Sequence, residues 1–352
     1  MPAPMVLPAA VGTGAAAAPQ PGCTVDDSRL DELSGLVVDP SGTQGYRAIV
    51  DGGGTARVFS VDPRSCAVTG ERTVPVPVTD VEDLALGPDG TLWLADTGDN
   101  AVRRATVRLV GLPVSGPPRV YDLRYPDGPR DAEALVVSDD GVPLIVDKTT
   151  GAAGVYRTAG PLTASGRAGS APVPLVRAAE VVLPWSETGG GPLGVAGSRT
   201  VTGGALSPRG ASGRVVGLRT YTDAWLFRLP AEGPATADAL VTALRGAPTP
   251  VPLPDEPQGE ALALDARGTL HSGGEERGLE HAAIRTVPGA VAVATGPGAP
   301  VLAQPPAAPD VAVSGWSAAT TGVAAVTAVA LAGIAAMLAQ TWFRTRRTRP
   351  PR

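Results

Sequence analysis

The chain has 352 residues, enough for one large domain or two ordinary ones around a buried core. Hydrophobic residues make up 43% but aromatics only 4%, while Gly (45) and Pro (37) are abundant, which points to many short elements joined by turns. A net charge of −5, with no basic patch interleaved with aromatics in the body, argues against a nucleic-acid partner.

In chain order, residues 1–20 come first. The stretch "MVLPAAVGTGAAAAPQPG" has small and apolar residues and an A-x-A-like end near Ala18, but no basic residue precedes Arg29. It has the form of the back half of a signal peptide without its charged start, with cleavage expected between about Ala16 and Gln20. Either the true start lies upstream or the signal is weak. Cys23 and Cys66 follow, and an even count in an exported chain predicts one disulfide between them. A lipidated Cys23 would need an aliphatic residue that "PQPG" lacks, and the two histidines, His271 and His281, do not make a zinc set with two cysteines.

Residues 21–305 carry an internal repeat. "EDLALGPDG" at Glu82 returns as "EALVVSDDG" at Glu133 and "EALALDARG" at Glu260, with fainter copies at Ser34 and Thr202. The spacings are 48, 51, 69 and 58 residues. Each copy continues with a Pro/Asp/Gly turn, a second strand-like run ("YRAIVD", "TLWLAD", "VPLIVD"), a polar loop, a third run and often a fourth. Four short strands per unit of about fifty residues predict an all-β fold, a β-propeller of five four-stranded blades. The long interval from Gly160 to Thr200 reads as a loop insertion containing an outer strand, or alternatively as a degenerate sixth blade. The clearest helix pattern in the body is a short one, Thr236 to Leu244, in an insertion.

Residues 306–316 read as a stalk. No charge occurs between Asp310 and Arg344, and Ser317 to Thr341 is 25 residues of small and apolar character flanked by Trp316 and Trp342. At about 1.5 Å per residue such a helix crosses a hydrocarbon core of about 30 Å with some tilt. The expected span is 317–343, followed by "RTRRTRPPR" at 344–352, a cationic flank that belongs in the cytoplasm. The membrane is therefore an expected partner, with the propeller outside. Without an export signal the same segment would be a tail anchor and the propeller cytoplasmic.

"LWLADTGDNAVRR" resembles the NHL-type propeller repeat, and "DGTLWLAD" is similar to strands of the gluconolactonase class and of phytase-like propellers. The order "LDELSGL", "DVEDLAL", "DAEAL", "TYTDAW", "DEPQGEALA" resembles exported, membrane-anchored actinobacterial propellers of unassigned function. The gluconolactonase resemblance implies a divalent metal held near the central channel by a Glu, two Asn and an Asp. Asn100 is the only asparagine of this chain.

Propeller geometry gives the repeated acids a common place. The innermost strand of each blade starts at one face of the disc, and the turn after the second strand returns to it. Glu82, Glu133 and Glu260 should thus converge on one channel mouth, rimmed by Asp51, by Asp96, Asp99 and Asn100, by Lys148, and by Arg219, Asp223, Glu275 and Glu276. Three readings stay open. Glu82, Glu133 and Glu260 could hold a hard cation such as Ca²⁺. One clustered carboxylate could act as a catalytic acid or base. Each Glu could instead brace its own blade. Lys148, the only lysine, reads either as a contact to an anionic substrate or as a surface ion pair. No G-x-S-x-G nucleophile elbow and no phosphate loop is present. The expected function is a binding module for an envelope protein or glycan, and the alternative is a metal-dependent lactonase, esterase or phytase-like hydrolase at the mouth.

Overall fold

Each apolar run of the repeat forms a strand, and the strands build five antiparallel sheets, the blades of a propeller; the computed structural model describes residues 18–39, 45–162, 169–210, 213–278 and 281–299. Blade 1 comprises Leu33–Val38, Tyr46–Val50, Gly54–Val61 and Val68–Val78. Blade 2 comprises Val81–Leu86, Leu92–Asp96, Val107–Leu112 and Arg119–Arg124, and blade 3 Ala132–Val137, Pro143–Asp147, Ala153–Arg157 and Val176–Val181. Val201–Leu206, Val215–Thr220, Asp223–Arg228 and Thr249–Pro252 make blade 4. Gln258–Leu264, Leu270–Glu275 and Ala283–Val287 begin blade 5, and its outer strand is Gln20–Thr24 from the other end of the chain.

The long interval is an insertion and not a sixth blade. It supplies the outer strand of blade 3, and Val173–Pro174 adds a short parallel strand to the edge of blade 2. The expected helix is Ala237–Leu244, with the Thr236 side chain capping it by accepting from the Ala239 amide at 3.3 Å. Among the described residues no helix is long and apolar enough to cross a membrane. The leader through residue 17, the stalk, the expected span at 317–343 and the Arg-rich tail lie outside the described residues.

The core consists of five apolar clusters, one at each seam between neighbouring blades. Leu36 and Phe59 of blade 1 meet Ala261 and Ile284 of blade 5, and Trp93 and Leu109 of blade 2 meet Leu135 and Tyr156 of blade 3. Sheets covered on both faces read as continuous apolar runs, which is why "EALVV" and "EALAL" show no clean alternation.

The inner strands share one irregularity. In all five, the register against the second strand slips by one residue, at Ser34, Glu82, Glu133, Thr202 and Glu260. These are the residues that mark the phase of the repeat. A β-bulge bends the strand and re-aims the extra side chain. The residue after each bulge is Gly35, Asp83, Ala134, Gly203 or Ala261, because the inner strands nearly touch there. A Cβ on Gly35 would lie 2.5 Å from the Leu84 amide nitrogen, and one on Gly203 2.3 Å from the Glu260 carbonyl oxygen. Blade 2 alone places a polar side chain in this layer.

The ring is closed twice at one seam. Gln20–Thr24 pairs with Ala283–Val287, with Cys23 opposite Ile284, so blade 5 is completed by the start of the chain. Cys23 is also joined to Cys66, which lies between the third and fourth strands of blade 1. This confirms the expected pairing and ties the last blade to the first. Closing a loop of 43 residues is worth about 4 kcal/mol in the chain-entropy model.

Candidate functional site

The loops entering the inner strands and those leaving the second strands lie on one face, as the repeat predicts. Blade 1 contributes Asp51, blade 2 Asp80 and Glu82, blade 3 Asp131, Glu133 and Lys148, blade 4 Tyr221, and blade 5 Gln258, Glu260 and Glu275. The bulges turn the phase residues toward the axis and bury them: Glu82, Glu133 and Glu260 are each at most 4% exposed. The hydroxyl members of the same ring brace the seams. Ser34 Oγ donates to the Glu82 carbonyl oxygen, and Thr202 Oγ1 donates to that of Gly259 at 2.9 Å.

The carboxylates fall into two close groups that share one member. Ligand oxygens of Asp51, Asp80 and Glu82 lie within 4.8 Å of one another, as do those of Glu82, Asp131 and Glu133. Gly98 makes room for the first group, since a Cβ there would be 1.9 Å from Glu82 Oε1 and 2.6 Å from Asp80 Oδ2. Glu260 belongs to neither group and accepts from Gln258 Nε2 at 3.1 Å. Lys148 Nζ donates to Glu133 Oε1, while Glu133 Oε2 and Asp51 Oδ1 are buried without a hydrogen-bond partner among the described residues. The lysine side chain is only 20% exposed and its Nζ sits 5.5 Å from the centre of the Tyr221 ring, so it is not a surface ion pair.

Burial and mutual repulsion keep Asp51, Glu82, Glu133, Glu260 and Glu275 protonated to unusually high pH. Asp51 is pushed up to about 7, by burial and by the charges of Asp80 and Glu32. Glu133 rises to about 8 by burial, although Lys148 pulls it back, and Glu275 also reaches about 8, by burial and the charge of Asp51. Burial and the Glu133 charge raise both Glu82 and Glu260 well above the usual carboxylate range. Burial works against the Lys148 ammonium, but Glu133 more than offsets it and holds the amine protonated.

Several expected rim residues serve the scaffold instead. Asp96 is buried and accepts from the amides of Thr79 and Asp80 and from Arg104 Nη2 at 2.9–3.1 Å. It thereby fixes the loop that presents Asp80. Asp99 accepts from the Arg103 and Arg104 amides at 2.6 and 2.7 Å, and its own amide donates to Asp131 Oδ1. Asn100 is exposed at the end of that turn. The Asp223 carboxylate is fully buried and takes hydroxyl bonds from Ser186, Thr188 and Thr222 at 2.6–3.0 Å. Arg219 is not on the rim. It is fully buried, pairs with Glu256, and packs on Gly259, where a Cβ would come within 1.7 Å of its Nη2. Glu276 pairs with exposed His281.

Three important acids escaped the repeat logic. Asp80 and Asp131 both stand two residues before a phase glutamate, a spacing visible once "DVE" and "DAE" are aligned. Asp83 has no counterpart in the other blades. It is fully buried at the axis, where its carboxylate accepts from the amides of Leu84 and Leu135 at 2.7 Å and of Gly204 at 3.0 Å. One side chain thus joins the inner strands of blades 2, 3 and 4.

The donor set suits a hard cation. Oxygens bound to one Ca²⁺ at about 2.4 Å lie no more than about 4.8 Å apart, and each carboxylate group meets that limit. The set of one Glu, two Asn and an Asp is not reproduced, because the sole asparagine is exposed and outside both groups.

No protein-family model matches the chain. No curated protein matches it either. Among solved structures it is similar to a luciferin-regenerating enzyme at 13% identity and a TM-score of 0.41, over 73% of this chain and 78% of that one. A gluconolactonase from Xanthomonas campestris shares 11% identity at a TM-score of 0.39, over 78% and 96% of the two chains. A glucose dehydrogenase shares 12% at 0.41, over 76% and 99%.

Proposed function

We propose that the protein is a membrane-anchored binding module outside the cell, and that its recognition face is the acid-lined mouth, which takes up a divalent cation of the Ca²⁺ type. The observation that carries the cation is the pair of carboxylate groups joined through Glu82, with buried Glu133 Oε2 left without a partner. A buried, unpaired carboxylate oxygen is costly, and a divalent cation relieves that cost for several acids together. A binding role is supported by the segment 183–200, which crosses the same face through Arg199 to Gly151 and Gly191 to Glu256. It carries Trp185, Leu193 and Val195 exposed, an apolar surface beside the charged mouth. An envelope protein or glycan is the partner class such a surface fits. Placement outside the cell is supported by the disulfide, by the apolar segment 317–343 and by the arginines after it.

Calorimetric titration of the purified protein with Ca²⁺ tests the cation site. Binding near one per chain is expected, with proton release at pH 7 and at least tenfold weaker binding in Glu82→Gln. Absence of binding by millimolar Ca²⁺, Mg²⁺ and Mn²⁺ rejects the site. Protease treatment of intact cells tests the topology: cleavage of the propeller is expected, and its protection places it inside.

A second reading is favoured by Glu133, whose carboxyl burial raises to about 8 in the metal-free mouth. A carboxyl so poised can act as a general acid or base in ester or lactone hydrolysis. Turnover of simple esters and lactones by the Ca²⁺-loaded protein, lost in Glu133→Gln, distinguishes this hydrolase from a pure binding module.

A further inference from the structure

Lys148 stands apart in composition and in position. It is the only lysine of the chain, where every other strong base is an arginine. Its ammonium is bonded to Glu133 Oε1, next to the oxygen that has no partner, and it faces the Tyr221 ring. Its charge acts on Asp51, Glu82, Glu133, Glu260 and Glu275, across four of the five blades' shared mouth. Arg104, the neighbouring base, is occupied by Asp96 and the Gly98 carbonyl oxygen. Lysine suits such a place because its ammonium is a compact point charge on a flexible stem, whereas guanidinium needs a planar fork of acceptors.

We propose that Lys148 is the built-in counter-ion of the mouth: its ammonium holds the place of a cation and leaves Glu133 when a divalent cation enters. The inference rests on the cation-binding reading above and adds the competitor that sets its affinity. An ammonium and a divalent cation on one carboxylate repel strongly in a half-buried site. The Asp147–Gly154 hairpin permits the exchange, since Thr149 and Thr150 beside the lysine are exposed and the long stem can turn toward them. The mouth then stays charge-balanced whether or not a metal is bound, and binding exposes an amine.

A chain with one lysine offers a direct readout. The full-length protein is treated with an amine-acetylating reagent at pH 8, with EDTA or with saturating Ca²⁺, and the peptide containing Lys148 is quantified by mass spectrometry. Acetylation several-fold faster with Ca²⁺ is expected. Lys148→Met should bind Ca²⁺ about tenfold more tightly than the parent, as expected for loss of a competing like charge. Acetylation that Ca²⁺ slows or leaves unchanged overturns the proposal, as does equal or weaker binding by folded Lys148→Met. If the parent binds no Ca²⁺ while Lys148→Met does, the lysine occupies the cation position as proposed and the native cation-binding reading fails. If neither binds and acetylation ignores Ca²⁺, both fail.

Discussion

Replacing Asp83 by alanine is expected to destabilise the protein by about 3–6 kcal/mol, near the upper end for a single substitution. The carboxylate accepts from three amides at the axis, those of Leu84, Leu135 and Gly204. Burial pushes this carboxyl well above its ordinary value, while the three donors pull it back toward ionisation. Alanine would strand all three amides where the strands leave no room, as the close approaches at Gly35 and Gly203 show. Each stranded amide costs about 1–3 kcal/mol, and a water entering the space would recover part of it. Asp83→Asn should lie between, because its amide oxygen keeps some of the bonds and its NH₂ opposes the rest. Denaturant titrations of the three proteins measure this. A loss below about 1 kcal/mol for alanine would show that the axial contacts do not hold the blades together.

In EDTA, the melting temperature is expected to fall as pH rises from about 5 to about 8. An unfolded chain releases carboxyl protons near pH 4, whereas folded Asp51 keeps its proton to about 7 and folded Glu133 and Glu275 keep theirs to about 8. Between those limits the folded state binds more protons than the unfolded state, so stability falls with rising pH and levels off above the folded values. At lower pH the trend reverses. Burial works against ionisation of Asp139 and Asp265, but Arg214 with the Ala235 amide, and His271 with the Thr269 amide, together outweigh it and hold both carboxyls below the ordinary range. Their contribution is present above pH 4 and is lost as they protonate. Saturating Ca²⁺ should flatten the descent between pH 5 and 8, since the cation replaces the protons. Asp51→Asn should reduce the slope without metal. A melting temperature in EDTA that rises across this interval would contradict the account of the mouth.

The copies of "EDLALGPDG" predicted more than a blade count. The phase residues Ser34, Glu82, Glu133, Thr202 and Glu260 turned out to be the five bulges, each displaced by one residue from its ladder. Their alignment already placed Glu82, Glu133 and Glu260 on one face. The same logic misassigned Asp96, Asp99 and Asp223, because an acid in a turn at the mouth looks identical in sequence whether it faces the channel or caps a loop. Asp96 and Asp99 each satisfy amides of their own surroundings. Arg219 was placed on the rim for a similar reason, whereas the absence of a side chain at Gly259 draws it into the seam between blades 4 and 5.

The five repeats, the insertion within blade 3, the Cys23–Cys66 pair and the shared face of the glutamates were all legible in the chain. They follow from local rules: apolar runs, turn residues and a period that repeats. Which acids touch was not legible, since Asp51, Asp80 and Asp131 reach Glu82 from three different blades. The closing of blade 5 by Gln20–Thr24 and the bond of Asp83 to Gly204, 121 residues away, were hidden for the same reason. Local pattern determines how each blade is built, but only ring closure decides which side chains share the axis.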